Sequence, residues 1–205
     1  MVRTGYQGVI CVEAGGPTPG LGCAGRGMIM ALEKLKETGA YEVYQPDVVL
    51  YDVLGDVVCG GFSMPMRKGY ADKVFIITSG ENMAIHAGAN IAMAVENFKN
   101  RGYASLGGIM LNRRNVAREE EKVNELADDF QTQVVGTLSH SGLVTEAEEK
   151  KETVMECFPD SEMAEEYRKL AEAIYELSKR PEGSACEKAD EKYTADKRPG
   201  EGLKC

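Results

Sequence analysis

Four short apolar runs, none broken by a charge, limit what this chain can fold into: Val48-Val49-Leu50-Tyr51, Val74-Phe75-Ile76-Ile77, Gly107-Gly108-Ile109-Met110-Leu111 and Val134-Val135-Gly136-Thr137-Leu138. They are continuous rather than alternating, the pattern of parallel strands covered on both faces. Helical stripes accompany them. Met28, Leu32 and Leu35 form one; Ile85, Ala89, Ala92, Met93 and Phe98 a second; Val123, Leu126, Ala127 and Phe130 a third, within 121–130. The clearest runs through Met163, Tyr167, Leu170, Ile174 and Leu177, with Asp160 as the expected N-cap and Pro181 as the stop. Strands alternating with helices predict an α/β fold with a mostly parallel sheet flanked by helices. The expected domain is 1–180. From 181 to 205 the chain is rich in Gly, Lys, Glu and Asp, which predicts a disordered tail.

Bulk properties narrow the function. A formal net charge of −9 over 205 residues argues against nucleic acid or an anionic membrane as the main partner. No apolar run approaches the ~20 residues that span a bilayer, and the start Met1-Val-Arg-Thr-Gly-Tyr has no secretory h-region. The expected location is the cytoplasm. Six cysteines are too few for a disulfide scaffold of this length, so each is judged by its surroundings. Cys11 and Cys157 sit in apolar settings and read as buried small hydrophobes. Cys186 and Cys205 fall in the tail and read as incidental. His86 reads as core or boundary packing.

Two segments carry chemistry. Glu13-Ala-Gly-Gly-Pro-Thr-Pro-Gly-Leu-Gly-Cys-Ala-Gly-Arg-Gly surrounds Cys23 with six glycines and two prolines, directly before a helical stripe. Glycines admit close approach of backbone to ligand, and helix-start N–H groups point at anions such as a thiolate-bound iron–sulfur cluster. On local grounds a Gly-rich loop with a bystander cysteine reads equally well. In the second segment, Val48-Val-Leu-Tyr-Asp-Val-Leu-Gly-Asp-Val-Val-Cys-Gly-Gly-Phe, an apolar run delivers Asp52, followed by Gly55, Asp56 and Cys59. An apolar strand ending in Asp is how P-loop NTPases hold a Mg²⁺-bound water opposite the phosphates. A glycine soon afterwards can sense the γ-phosphate and reposition its loop. A strand-end Asp with an ordinary turn is the plainer reading of that segment.

Together the two strings resemble signatures of the nitrogenase iron protein family, which includes nitrogenase-like reductases of tetrapyrrole synthesis. The resemblance continues through Ser79-Gly80-Glu81, residues 107–115 and residues 162–170, and covers about 5–180. It implies a P-loop NTPase fold and an ATP-coupled electron-transfer reductase. Cys23 and Cys59 would ligate a [4Fe–4S] cluster, and two ligands per chain imply a homodimer with the cluster between its subunits. Asp52 would lie near Mg²⁺ of Mg-ATP, and Asp56 would link nucleotide to the cluster loop. Gly55 would sense phosphate, Asn112 would lie near the adenine, and Arg26 would help dock a partner. That partner would be a nitrogenase-like catalytic component, with ferredoxin or flavodoxin as electron donor.

The sequence also departs from the family. No Gly-x-x-x-x-Gly-Lys-Ser/Thr loop occurs in it. The match begins roughly a third of the way into the family pattern, so on the order of 75 residues, with the first strand, are expected to be absent. A truncated, non-ATPase fragment or cluster-binding module is therefore the alternative. A cluster-free relative of the partitioning ATPases and a zinc site on the same thiolates are further rivals. Ser139, His140, Ser141 and Thr145 stand where nitrogenase proteins carry a Pro-Arg-Asp start and a Gln, which points to a nitrogenase-like branch.

Overall fold

The centre of the fold is a three-stranded parallel sheet in sequential order, formed by β3 (Lys73–Thr78), β4 (Ser105–Asn112) and β5 (Val134–Leu138). The computed structural model describes residues 2–13, 24–55, 64–67, 69–99 and 101–179, with only the backbone at 24–26. Before the sheet come an antiparallel hairpin, β1 (Val2–Thr4) and β2 (Ile10–Val12), and two helices, α1 (Ala24–Glu37) and α2 (Ala40–Tyr44). The sheet strands are joined by α3 (Asn82–Lys99) and α4 (Glu119–Asp129). After β5 follow α5 (Gly142–Glu149), α6 (Val154–Cys157) and α7 (Glu162–Ser178).

Parallel strands need crossover connections, and here both crossovers are helices on one face. Ala92 from α3 and Val123, Leu126 and Ala127 from α4 share a buried cluster with Ile76, Ile109 and Leu111. Two register shifts keep this face apolar: one skips Gly107 between Val74 and Phe75, the other skips Val135 opposite Ile109 and Met110. The second lets Val134 pack toward α3 and α4 while Gly136 faces α7. A Cβ at Gly136 would stand 2.7 Å from Leu170 Cδ1, so α7 packs closely on the sheet here and a larger residue would require the Leu170 side chain to shift. A second cluster, Ala147, Val154, Met163 and Ala164, joins α5, α6 and α7 beyond the end of β5.

Helix ends follow local chemistry. Ser161, not Asp160, caps α7, its hydroxyl accepting from the Ala164 N–H at 3.1 Å. Thr153 and Glu156 form a reciprocal capping box at α6. α7 ends at Ser178, ahead of Pro181, and the tail expected from 181 lies outside the described residues.

Several expectations fail. Val48–Tyr51 is not a strand: it has no ladder partner among the described residues, and Leu50 is 81% exposed. An apolar run becomes a strand only where neighbours take up its backbone groups. Cys11 is exposed at the hairpin rather than buried, and His86 is exposed on α3. Cys157 is half-buried, and its thiol donates to a Glu152 carboxylate oxygen at 2.9 Å. That bond, first, and then burial hold the thiol above the usual cysteine range.

Candidate functional site

In open α/β sheets ligands bind at the carboxyl ends of the strands. Three loops leave those ends here. Thr78, Ser79 and Gly80 are buried at the end of β3, and the Ser79 hydroxyl donates to the Glu81 carboxylate at 3.0 Å. Asn112 ends β4 in register with Leu138 and is exposed, so its amide faces solvent at the rim. The Arg113 N–H continues the ladder by donating to the Leu138 carbonyl at 2.9 Å. Past β5, Ser139 is fixed by Glu166 of α7, which accepts from its N–H and its hydroxyl at 2.7 Å each. Asn112, Arg113 and Ser139 thus share one rim.

Glu119, which sequence reasoning did not single out, is the best-anchored acid of this rim. At 6% exposure it is buried, and its Oε2 accepts from the N–H groups of Arg114 at 3.0 Å and Val116 at 3.2 Å. In sequence it opens a run of three glutamates, which reads as a solvated helix start; only burial separates it from exposed Glu120 and Glu121. Lys122 was missed too. Its ammonium donates to the Gly80 carbonyl at 3.0 Å and to Asn82 Oδ1 at 3.2 Å. Between these loops lies an open depression of about 470 Å³ lined by Glu81, Asn82, Met83, Ala84, Val116 and Lys122.

The remaining predicted residues are spread along the earlier chain. Asp52 is exposed on the extended stretch after α2. Its neighbour Tyr51 is anchored by a hydroxyl pair with Tyr41 at 3.2 Å. Burial pushes the Tyr51 phenol well above the ordinary tyrosine range, and the bond with Tyr41 adds to the shift. Gly55 lies beside α3, where an added Cβ would meet Ile91 Cδ1 at 3.6 Å. Asp56, Cys23 and Cys59 lie outside the described residues, as does the side chain of Arg26.

Cluster ligation can still be tested on what flanks Cys23. α1 begins at Ala24, the next residue, so the unpaired N–H groups of a helix start are the first donors after the thiol. That arrangement and the thiolate donor set fit an anionic iron–sulfur cluster. Among the described residues, no group of three or more His, Cys, Asp or Glu is placed to hold a metal ion. No described helix is long and apolar enough to cross a membrane.

Comparison with known proteins adds to this geometry. The family model described as 4Fe-4S iron sulfur cluster binding proteins, NifH/frxC family, matches residues 1–189. The chain is 48% identical over 179 residues to the nitrogenase iron protein of Methanococcus voltae, covering 87% of this chain and 64% of that protein. It is 49% identical over 175 residues to nitrogenase iron protein 2 of Methanothermobacter thermautotrophicus, covering 85% and 64%. The chain therefore spans less than two thirds of the length of these relatives. Among solved structures it resembles the cell division ATPase MinD of Pyrococcus furiosus, with a TM-score of 0.56, 18% identity, and coverage of 75% of this chain and 59% of that one. MinD of Aquifex aeolicus gives a TM-score of 0.53 at 15% identity, covering 74% and 61%. At those identities the likeness shows the fold alone, an α/β fold with a parallel sheet flanked by helices.

Proposed function

We propose a function from one premise: the chain belongs to the NifH/frxC family of 4Fe-4S iron sulfur cluster binding proteins. It is a cluster-bearing, ATP-coupled electron-transfer component that works as a homodimer and passes electrons to a nitrogenase-like catalytic component. The observation carrying this reading is that the family match spans both Cys23 and Cys59 and that α1 starts one residue after Cys23.

Each chain brings two thiolates, Cys23 and Cys59, and a [4Fe–4S] cluster takes four, so two chains meet at it. When bound, the cluster supplies reversible one-electron chemistry. The chain's own residues supply the gating. Asp52 would lie beside the Mg²⁺ of the nucleotide, which when bound supplies positive charge at the phosphates, and Gly55 and Asp56 would follow the phosphate state. With only two residues between Asp56 and Cys59, movement of this loop reaches the thiolate directly. Asn112 stands at the rim that receives the base, Arg26 takes part in docking the partner, and ferredoxin or flavodoxin is the donor. A cluster-binding module that does not turn over ATP is the second reading, favoured by the lack of a Gly-x-x-x-x-Gly-Lys-Ser/Thr loop among these 205 residues.

Anaerobic reconstitution with iron and sulfide tests the core of the proposal. The expected result is thiolate-to-iron absorbance and an EPR signal after reduction, both lost in Cys23→Ala and in Cys59→Ala. Absence of the signal, its survival in Cys59→Ala, or uptake of zinc alone counts against it.

A further inference from the structure

We propose that Glu119 is a positioning residue that sets the loop between β4 and α4, and with it Asn112 and Arg113, for contact with the base of an adenine nucleotide. The proposal rests on the nucleotide reading above and assigns a residue that reading does not use.

The loop runs from Arg113 to Arg118 and holds two non-glycine residues in the left-handed region, Asn115 at φ 59° and Arg118 at φ 58°. Such conformations are unfavourable for L side chains and persist only where their surroundings over-determine them. Glu119 supplies that constraint on both sides of Asn115, while the Arg118 side chain donates to Glu121. The Glu119 Oε2 accepts both loop N–H groups, from Arg114 and Val116, and its Oε1 lies 3.8 Å from Arg113 Nη1. Two of the six loop residues are therefore hydrogen-bonded to one buried carboxylate, and Arg113 lies between it and Glu120, to which its Nη2 donates. The cap of α4 is not the main task of Glu119, because the Arg118 N-cap makes no side-chain capping bond and the Glu119 carboxylate reaches backward instead.

Glu119 is in turn wedged from below. A Cβ at Gly80 would stand 2.2 Å from Glu119 Cβ and 2.6 Å from its Cα, so the turn after β3 presses on the start of α4. One helical turn further, Lys122 donates to the Gly80 carbonyl. The loops after β3 and β4 therefore form one unit, with Glu119 at the joint. Asn112 and Arg113 hang from that unit at the end of β4.

The test uses the full chain, the variants Glu119→Ala, Glu119→Gln and Gly80→Ala, amide hydrogen exchange, and NMR titration with Mg-ADP. The Gln oxygen still accepts both loop bonds, so Glu119→Gln should stay within about threefold of wild type in exchange and binding. Glu119→Ala should speed exchange at Arg114 and Val116 by about tenfold or more, with β4 interior amides unchanged, and weaken the Mg-ADP response at Asn112 and Arg113 by a similar factor. Gly80→Ala should weaken that response too, with Glu119 intact but displaced, and it stands in if Glu119→Ala does not fold. Unchanged loop exchange in Glu119→Ala overturns the proposal. So does equal loss in Glu119→Gln and Glu119→Ala, which would mark a role in general stability. A wild-type chain with no Mg-ADP response overturns the nucleotide reading and the ligand named here, whereas loss confined to the variants overturns neither.

Discussion

Residues 73–179 and residues 2–55 both carry apolar side chains, but they place them differently. In the first region Ile76, Ile109, Leu111, Val123 and Leu126 close into one buried cluster under α3 and α4. In the second, Val2, Val9, Ile10 and Val12 of the hairpin and Val48, Val49, Leu50 and Leu54 of the extended stretch face solvent. The boundary between the two regimes falls on β3. This strand pairs with β4 on one side and with no described strand on the other, and its Ile77 is 62% exposed. The difference is one of neighbours rather than of residue type. The closed region supports the rim with Asn112 and Glu119, while the open region holds Asp52 and Gly55.

The sharpest way to break this comparison is to truncate one apolar side chain in each region. Ile109 is fully buried, so Ile109→Ala should lower stability by about 2–5 kcal/mol in urea unfolding. Leu50→Ala should change it by no more than about 0.5 kcal/mol. A large loss at Leu50 would mean that the stretch packs in solution against something outside the described residues.

A smaller effect concerns Tyr51, which pairs with the Tyr41 hydroxyl in the open region. Because the Tyr51 phenol is held above its ordinary range, mainly by burial, its contribution to stability is complete below the usual tyrosine pKa of about 10. It is lost as pH rises from there through the raised value. Absorbance titration of tyrosinate should show one tyrosine ionising later than the rest, and Tyr51→Phe should remove that late step. A titration curve that Tyr51→Phe leaves unchanged would show that the Tyr51 phenol is not held up by burial and the Tyr41 bond.

The two regions also differ in how legible they were. Continuous apolar runs at 74–77, 107–111 and 134–138 became adjacent parallel strands, and the stripes at 85–98, 123–130 and 163–177 became their covering helices. For these, period and neighbours agreed. The run at 48–51 has the same local signal and misled, because hydrophobic pattern reports the preference of a segment and not the presence of its partner. The cap of α7 was displaced by one residue, since Asp160 and Ser161 are both good N-caps and only geometry chooses. In the candidate site, Asn112 came only from the family resemblance, and the structure puts it at the exposed end of β4. Glu119 was hidden because its role depends on burial against Gly80 and on the path of a loop, neither of which leaves a pattern in three consecutive glutamates.

The central claim is that two thiolates per chain make the cluster a shared possession of two chains. Native mass spectrometry of the anaerobically reconstituted protein measures this directly. The account predicts a species of two chains carrying one [4Fe–4S] cluster, which gives way to cluster-free chains in Cys59→Ala. A single chain retaining a whole cluster, or a dimer whose mass accounts for zinc and no sulfide, would contradict it.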